Sequence, residues 1–274
     1  MMLPVRRVRA ANDIAARLAA LEAKSGGRHG VAVTDTAATV VTAHRGDERF
    51  PITSTFKFLA ATAVLTRVDQ GKEQLDRKIV FAEKDLVTYS PATKNFAGPN
   101  GMPLDAICEA AITLSDNTAG NLLLGAIGGP AGLTEFARSL GDPVTRLDRM
   151  ETELNEAIPG DRRDTTSPLA MLQNMRKILL GDTLSGASKS RLQGWLIANK
   201  TGGKKLRAGL PQGWSVGDKT GGGEHGSNND IAIITPPQRA PLLVTAYFTE
   251  SAASLNERDA VLADVGRIIA DAAG

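Results

Sequence analysis

Several residue types that define other classes of protein are scarce in this 274-residue chain. The single cysteine, Cys108, excludes a disulfide within the chain, and its apolar neighbours predict a small core residue. The three histidines lack the spacing of metal ligands, so no zinc site is expected, and the sequence predicts no metal or cofactor. No apolar run is long enough to span a membrane.

An apolar secretion segment is also missing from the start of the chain. The protein is therefore expected either not to use that export route or to carry a signal that this sequence does not include. The charges nearly cancel, since 32 Lys and Arg face 30 Asp and Glu, for a net charge of +2. This balance argues against a general affinity for nucleic acid. A composition of 42% apolar and 23% charged residues is typical of a globular protein with a substantial core.

Strand-like and helix-like patterns alternate along the chain in three blocks. A first helix is predicted over residues 12–24 and a last one over 255–270, and the segment 53–199 is mostly helical in pattern. Short β-rich runs occur at 31–34, 39–42, 214–219, 230–235 and 242–249. Short connections favour antiparallel pairing. We therefore predict an α+β fold with an antiparallel five-stranded sheet flanked by helices.

The same blocks predict two domains. Residues 1–50 and 200–274 would form a discontinuous α/β domain, and 51–199 an inserted all-helical domain that includes an acidic loop at 146–164. An active site is expected between the two.

The pair Ser54 and Lys57 opens an apolar helix-like run after Pro51, which bars a helix before it. A gap of three residues places both side chains on one face of a helix, one turn apart. The lysine amine could then take the proton of the serine hydroxyl, as a serine nucleophile requires. The alternative is an ordinary first turn of a helix with a surface lysine.

Three short polar residues, Ser115, Asp116 and Asn117, lie between two apolar segments. These residue types are preferred helix caps, which is one interpretation. In the other, Ser115 relays a proton and the Asn117 amide holds a substrate carbonyl.

The tripeptide Lys-Thr-Gly occurs twice. The copy at 200–202 follows a helical pattern and is interpreted as the end of a helix. The copy Lys219, Thr220 and Gly221 ends a strand-like run and leads into more glycine, which suits a substrate lying against a bare strand edge. We assign the binding site to this second copy.

The charged segment 147–164 is long for a loop without its own periodicity, which is typical of functional or disordered segments. Solvated acidic surface is the default for any single glutamate in it. Leu147, Leu154 and Ile158 are predicted apolar anchors, and Arg149 and Asp164 could join the two ends of the loop.

Taken in order, the motifs S-x-x-K, S-D-N, E-x-E-L-N and K-T-G resemble those of the class A β-lactamases. The resemblance extends from about residue 12 to 270 and includes Tyr89-Ser90-Pro91 and Asp164-Thr165-Thr166. It implies the same fold as the residue patterns do, with a β-lactam as the small-molecule substrate. It also implies a monomer that is periplasmic or secreted.

The resemblance further implies catalytic roles for four residues. Ser54 would attack the β-lactam carbonyl to form an acyl-enzyme, and either Lys57 or Glu151 acting through a water would be the acylation base. Glu151 would then activate the water that hydrolyses the ester, and Ser115 would pass a proton to the departing ring nitrogen. The residues implied to bind the substrate are Tyr89, Asn117, Asn155, Arg207, Lys219, Thr220, Gly221 and Gly222.

Three departures from the family pattern affect these expectations. Asn228 stands where many members have an arginine that binds the substrate carboxylate, and we expect Arg207 to supply that guanidinium instead. Met150 and Thr152 replace a frequent tryptophan and proline in the acidic loop.

Two other functions share part of this motif set. A penicillin-binding transpeptidase or carboxypeptidase acts on cell-wall peptides, and a β-lactam sensor is acylated once and never turned over. Glu151 with Asn155 favours hydrolysis over both, because slow deacylation requires that the pair activating the water be missing. A non-catalytic structural domain is a third alternative, and it would carry no covalent label on Ser54.

Overall fold

The computed structural model describes residues 5–37 and 41–273. The strands in these ranges are β1 (Arg28–Asp35), β2 (Val41–His44), β3 (Phe50–Pro51), β4 (Lys78–Phe81), β5 (Gly98–Pro103), β6 (Thr165–Thr166), β7 (Ser215–Gly222), β8 (Asn228–Thr235) and β9 (Leu242–Thr249). The α-helices are α1 (Val5–Ser25), α2 (Phe56–Asp69), α3 (Leu104–Thr113), α4 (Asn117–Ile127), α5 (Gly129–Ser139), α6 (Pro168–Leu179), α7 (Gly186–Ile197) and α8 (Leu255–Ala273).

The central element is a five-stranded sheet in the order β2-β1-β9-β8-β7, with every neighbouring pair antiparallel. The predicted α+β class and sheet are therefore confirmed. β9 lies at the centre and all eight of its residues are buried, which suits its apolar and β-branched sequence. β7 lies at one edge, where its register with β8 pairs Lys219 with Ile231 and Gly222 with Asn228.

Some boundaries differ from the predicted ones. The first helix begins at Val5, and the first strand extends beyond 31–34 on both sides. Part of the second predicted strand, residues 39 and 40, lies outside the described residues, and β2 begins at Val41.

Helices cover both faces of the large sheet. On one face α1 and α8 pack against apolar side chains of β1, β8 and β9, including Val31, Ile234 and Val244. On the other face, α6 packs against β9 and β1 while α7 packs against β7. Alternate residues of each strand point to opposite faces, so Ile231 and Tyr247 belong to this second core. Among the described residues, none of the helices has the length and apolarity that crossing a bilayer requires.

The helix α2 is the centre of the helical layer. Its first ten residues, 56–65, are all buried, because α3, α4, α5 and α7 pack around it. A 3-10 turn at Thr53–Thr55 precedes it and packs against β7 and β8. This contact brings the start of α2 to the edge strand of the sheet.

The middle of the chain is less purely helical than predicted. It includes the antiparallel pair β4–β5, and β6 pairs with β3. Strands of two to six residues produce too little periodicity to be recognised in a sequence. The division into two domains stays a prediction.

Candidate active site

The start of α2 places Ser54 and Lys57 side by side. Ser54 lies in the 3-10 turn and is 7% exposed, and Lys57 follows one turn later and is fully buried. The Lys57 Nζ donates to Ser54 Oγ at 2.9 Å, so the two side chains share one face as their spacing predicts. The hydroxyl therefore has an amine within reach of its proton.

Lys57 is the hub of a buried polar cluster. Its Nζ donates to Asn117 Oδ1 at 2.7 Å and to the Ser115 carbonyl at 3.0 Å, and it lies 2.8 Å from Glu151 Oε1. Burial lowers the pKa of the Lys57 ammonium, an effect that the adjacent Glu151 carboxylate opposes. The surface-lysine interpretation is therefore wrong.

Glu151 reaches the nucleophile from the loop between α5 and β6. Its Oε1 accepts from Ser54 Oγ at 3.2 Å, and its Oε2 accepts from Asn155 Nδ2 at 2.5 Å. Asn121 fixes the Glu151 backbone from α4, since its Oδ1 accepts from the Glu151 N–H at 2.8 Å and its Nδ2 donates to the Glu151 carbonyl at 3.0 Å. Sequence reasoning missed Asn121, although its position four residues after Asn117 places it on the same helix face.

The two ends of the acidic loop are joined by a buried ion pair, as predicted. Arg149 Nε donates to Asp164 Oδ2 at 2.6 Å, and Asp164 Oδ1 accepts from the N–H groups of Asp148 and Arg149 at 2.7 and 3.0 Å. Of the three predicted apolar anchors, Leu147 and Leu154 are buried. Ile158 is 43% exposed, so that part of the prediction is wrong.

Replacing Arg149 with leucine should destabilise the protein by about 3–5 kcal/mol, because Asp164 is only 1% exposed and would remain buried without its counter-ion. Chemical denaturation, followed by circular dichroism, measures the effect. Arg163→Leu is the control, since Arg163 pairs with Asp161 on the surface of the same loop and should leave the unfolding midpoint unchanged. Equal midpoints for the two variants would show that the buried pair does not stabilise the loop.

The segment between α3 and α4 combines capping with site chemistry. Asp116 is the N-cap of α4 and accepts from the Ala119 N–H at 2.8 Å, so the capping interpretation holds for this residue. Ser115 has a left-handed backbone with φ +57°, and its Oγ accepts from Lys219 Nζ at 2.9 Å. The backbone N–H of Asn117 donates to the carbonyl of Tyr89, a residue that is 57% exposed.

The strand β7 supplies a second buried lysine. Lys219 is fully buried, and its pKa is held well below the usual range by burial and by the positive charges of Lys57 and Lys205. The hydroxyl of Thr220 lies 2.5 Å from that of Thr201. The sequence predicts that the first Lys-Thr-Gly copy only ends a helix. In the structure its Thr201 also contacts Thr220 of the second copy.

Glycines allow β7 to approach the nucleophile closely. A Cβ atom on Gly221 would lie 2.0 Å from Thr53 Oγ1, and one on Gly223 would lie 2.7 Å from the Asn155 carbonyl oxygen. Neither residue could carry a side chain without moving its neighbours. Gly222 has open space around its Cβ position, with nothing nearer than 3.9 Å.

Arg207 does not lie where the sequence predicted. Its Nε and Nη2 donate to Asp218 Oδ1 at 2.9 and 2.5 Å, and Nη2 also donates to the Leu196 carbonyl. Asp218 precedes Lys219 on β7, so its side chain points to the opposite face of the strand. The guanidinium is thus held on the face away from Lys219, and the prediction that it binds the substrate carboxylate is corrected. Lys205, which sequence reasoning missed, contacts Asn228 instead, with Nζ–Oδ1 at 2.6 Å.

Comparison with known proteins agrees with this arrangement of residues. The model of the β-lactamase enzyme family matches residues 13–273. The chain belongs to this β-lactamase family.

Similar proteins place it within class A. It is 48% identical over 262 residues to the β-lactamase CTX-M-8 of Citrobacter amalonaticus, covering 95% of this chain and 89% of that protein. It is 46% identical to the β-lactamase OXY-2 of Klebsiella oxytoca, covering 93% of this chain and 88% of that protein.

Solved structures of class A β-lactamases share this fold. An ancestral class A β-lactamase matches with a TM-score of 0.93 and 62% identity, covering 94% of this chain and 99% of that one. The putative class A β-lactamase PenP from Rhodopseudomonas palustris matches with a TM-score of 0.93 and 59% identity, with the same shares covered. The chain is therefore a class A β-lactamase, a hydrolase of β-lactam antibiotics that confers resistance to them.

Proposed function

We propose that this β-lactamase hydrolyses penicillins and cephalosporins through an acyl-enzyme on Ser54, released by a water molecule that Glu151 activates. One observation carries the proposal. The Ser54 hydroxyl lies within hydrogen-bond distance of both the Lys57 amine and the Glu151 carboxylate, at 2.9 and 3.2 Å. A nucleophile with two adjacent proton acceptors can be deprotonated once for acylation and leave one acceptor for the water.

In the acylation step, Ser54 Oγ attacks the lactam carbonyl carbon, and its proton passes to Lys57 or, through a water, to Glu151. The carbon–nitrogen bond of the ring then breaks, the nitrogen takes the proton of the Ser115 hydroxyl, and Ser115 regains a proton through the buried cluster from the base that accepted the Ser54 proton. Lys219 supports this transfer because its Nζ donates to Ser115 Oγ at 2.9 Å, and this hydrogen bond stabilises the oxygen as it loses the proton.

In the deacylation step, Glu151 takes a proton from a water molecule, whose oxygen attacks the ester carbon and displaces Ser54 Oγ. Asn155 supports this role, since its amide holds Glu151 Oε2 and keeps the carboxylate oriented. The displaced Ser54 oxygen recovers the proton that Glu151 took from the water, which returns both residues to their starting state.

Substrate binding is assigned to the rim of the same site. Lys219 and Thr220 are proposed to face the substrate carboxylate, with Gly221 allowing the strand to lie close to it. The Asn117 amide would contact the acylamide side chain, and Tyr89 would form the wall of the pocket mouth. The oxyanion would lie between the backbone N–H groups of Ser54 and Gly222, which are typically worth a few kcal/mol each in the transition state. We further propose a monomeric enzyme that is periplasmic or secreted.

Mixing the enzyme with a chromogenic cephalosporin tests hydrolysis directly. We expect absorbance to rise steadily for many substrate equivalents per enzyme, because Glu151 and Asn155 are both in place to activate water. A burst that stops at one equivalent would instead indicate a sensor. Consumption of cell-wall peptides without turnover of the cephalosporin would indicate a transpeptidase or carboxypeptidase.

A further inference from the structure

Lys205 is a buried cation that the mechanism above does not use. It is 8% exposed and precedes the 3-10 turn Leu206–Gly209. Its Nζ donates to Asn228 Oδ1 at 2.6 Å and to the backbone carbonyls of Gly221 and Asn229 at 3.2 and 3.3 Å. All three acceptors are uncharged oxygens of β7 and β8, while the carboxylates of Asp230, Asp259 and Asp218 act on Lys205 without a direct hydrogen bond.

One of these acceptors shares a peptide group with the proposed oxyanion donor. The Gly221 carbonyl and the Gly222 N–H belong to the same planar trans peptide, in which they point in opposite directions. A cation on the carbonyl oxygen draws electron density from the amide nitrogen, so the N–H becomes a stronger donor. The Gly221 oxygen is turned towards Lys205, which leaves the Gly222 N–H directed away from it.

The same contacts hold this peptide in place. Gly221, Gly222 and Gly223 form a run without side chains on an edge strand, so the orientation of this run depends on contacts made to its backbone. Asn228, the partner of Gly222 across the ladder, is held on both sides, because its Nδ2 donates to Asp259 Oδ1 at 3.0 Å while its Oδ1 accepts from Lys205. Lys205 therefore links the glycine run to β8 and, through Asn228 and Asp259, to α8.

We propose that Lys205 is a positioning residue of the oxyanion site, which orients and polarises the Gly221–Gly222 peptide so that the Gly222 N–H binds the substrate carbonyl oxygen strongly. The inference rests on the proposed function, in which that N–H contacts the oxyanion. A purely structural role of Lys205 would affect folding alone. The proposed role also requires that replacing Lys205 weakens the hydrogen bond to the carbonyl group of the bound substrate.

The test uses Lys205→Met and Lys205→Gln in the Glu151→Gln enzyme, which should accumulate the acyl-enzyme with benzylpenicillin. Weaker donation to the ester carbonyl shortens its C=O bond, so infrared difference spectra should show its stretching band at higher wavenumber than in the parent. We expect acylation to slow about tenfold in Lys205→Met and less in Lys205→Gln, whose amide can still donate one hydrogen bond. The glutamine variant also keeps the test possible if the methionine variant does not fold.

Lys189→Met is the matched control, because Lys189 on α7 donates to the Gly181 carbonyl at 2.7 Å, away from the site. It should leave both the band and the acylation rate unchanged. Folded Lys205 variants with the parent's carbonyl band would overturn the inference, whether or not acylation slows. Failure of Glu151→Gln to accumulate any acyl-enzyme would instead contradict the proposed function.

Discussion

The Glu151→Gln enzyme should be acylated by benzylpenicillin and then stay acylated, with steady-state turnover at least about a thousandfold below that of the parent. The amide keeps the size of the side chain and its contact with Asn155, but it cannot take a proton from water. Intact-protein mass spectrometry during substrate consumption should show the mass of one added penicillin. Rapid-mixing kinetics on the same sample gives the acylation rate separately.

Glu153→Gln is the matched control for this variant. Glu153 lies two residues away on the same loop and its side chain is exposed, so its charge should have little effect on the site. We expect its turnover to equal that of the parent. An unmodified protein in the Glu151→Gln sample during substrate consumption would contradict the acyl-enzyme scheme.

Local patterns predicted the elements that build the site. The apolar run after Pro51 indicated α2, which is buried on all sides from Phe56 to Leu65. The β-rich runs at the end of the chain indicated β7, β8 and β9, and the spacing of Ser54 and Lys57 placed their side chains together. Each of these features depends on residues within about one helix turn or one strand of each other. The residue pattern of a single sequence is therefore enough to predict them.

Contacts between distant segments could not be predicted in the same way. Arg207 and Lys205 are two residues apart, and both precede the Lys-Thr-Gly strand by a similar distance. Only the position of the 3-10 turn Leu206–Gly209 in the fold, where it packs against α8, decides that Arg207 meets Asp218 while Lys205 meets Asn228 and Gly221. Arg207 has the positive charge expected near the substrate carboxylate, but its position in the fold pairs its guanidinium with Asp218 on the face away from Lys219. The short pair β4–β5 was not predicted, because its strands show no clear alternation of buried and exposed residues.

The Lys57→Met enzyme should lose acylation by about a thousandfold or more, because it removes both a proton acceptor and the buried charge beside Ser54. Burial lowers the pKa of Lys57, which increases the share of neutral amine at a given pH. Only the neutral amine accepts a proton, so acylation through Lys57 should weaken as pH falls below that lowered pKa. Stopped-flow acylation rates across a pH series measure both effects.

Lys57→Arg separates the two reasons for this loss. Arginine keeps a positive charge near Glu151 and Asn117, but its guanidinium stays protonated and cannot act as a base. If Lys57 is the acylation base, the arginine variant should be nearly as slow as the methionine variant. An arginine variant that acylates at close to the parent's rate would assign the Ser54 proton to Glu151 acting through water. In that case Glu151→Gln should also slow acylation, so the two sets of variants together decide between the two bases.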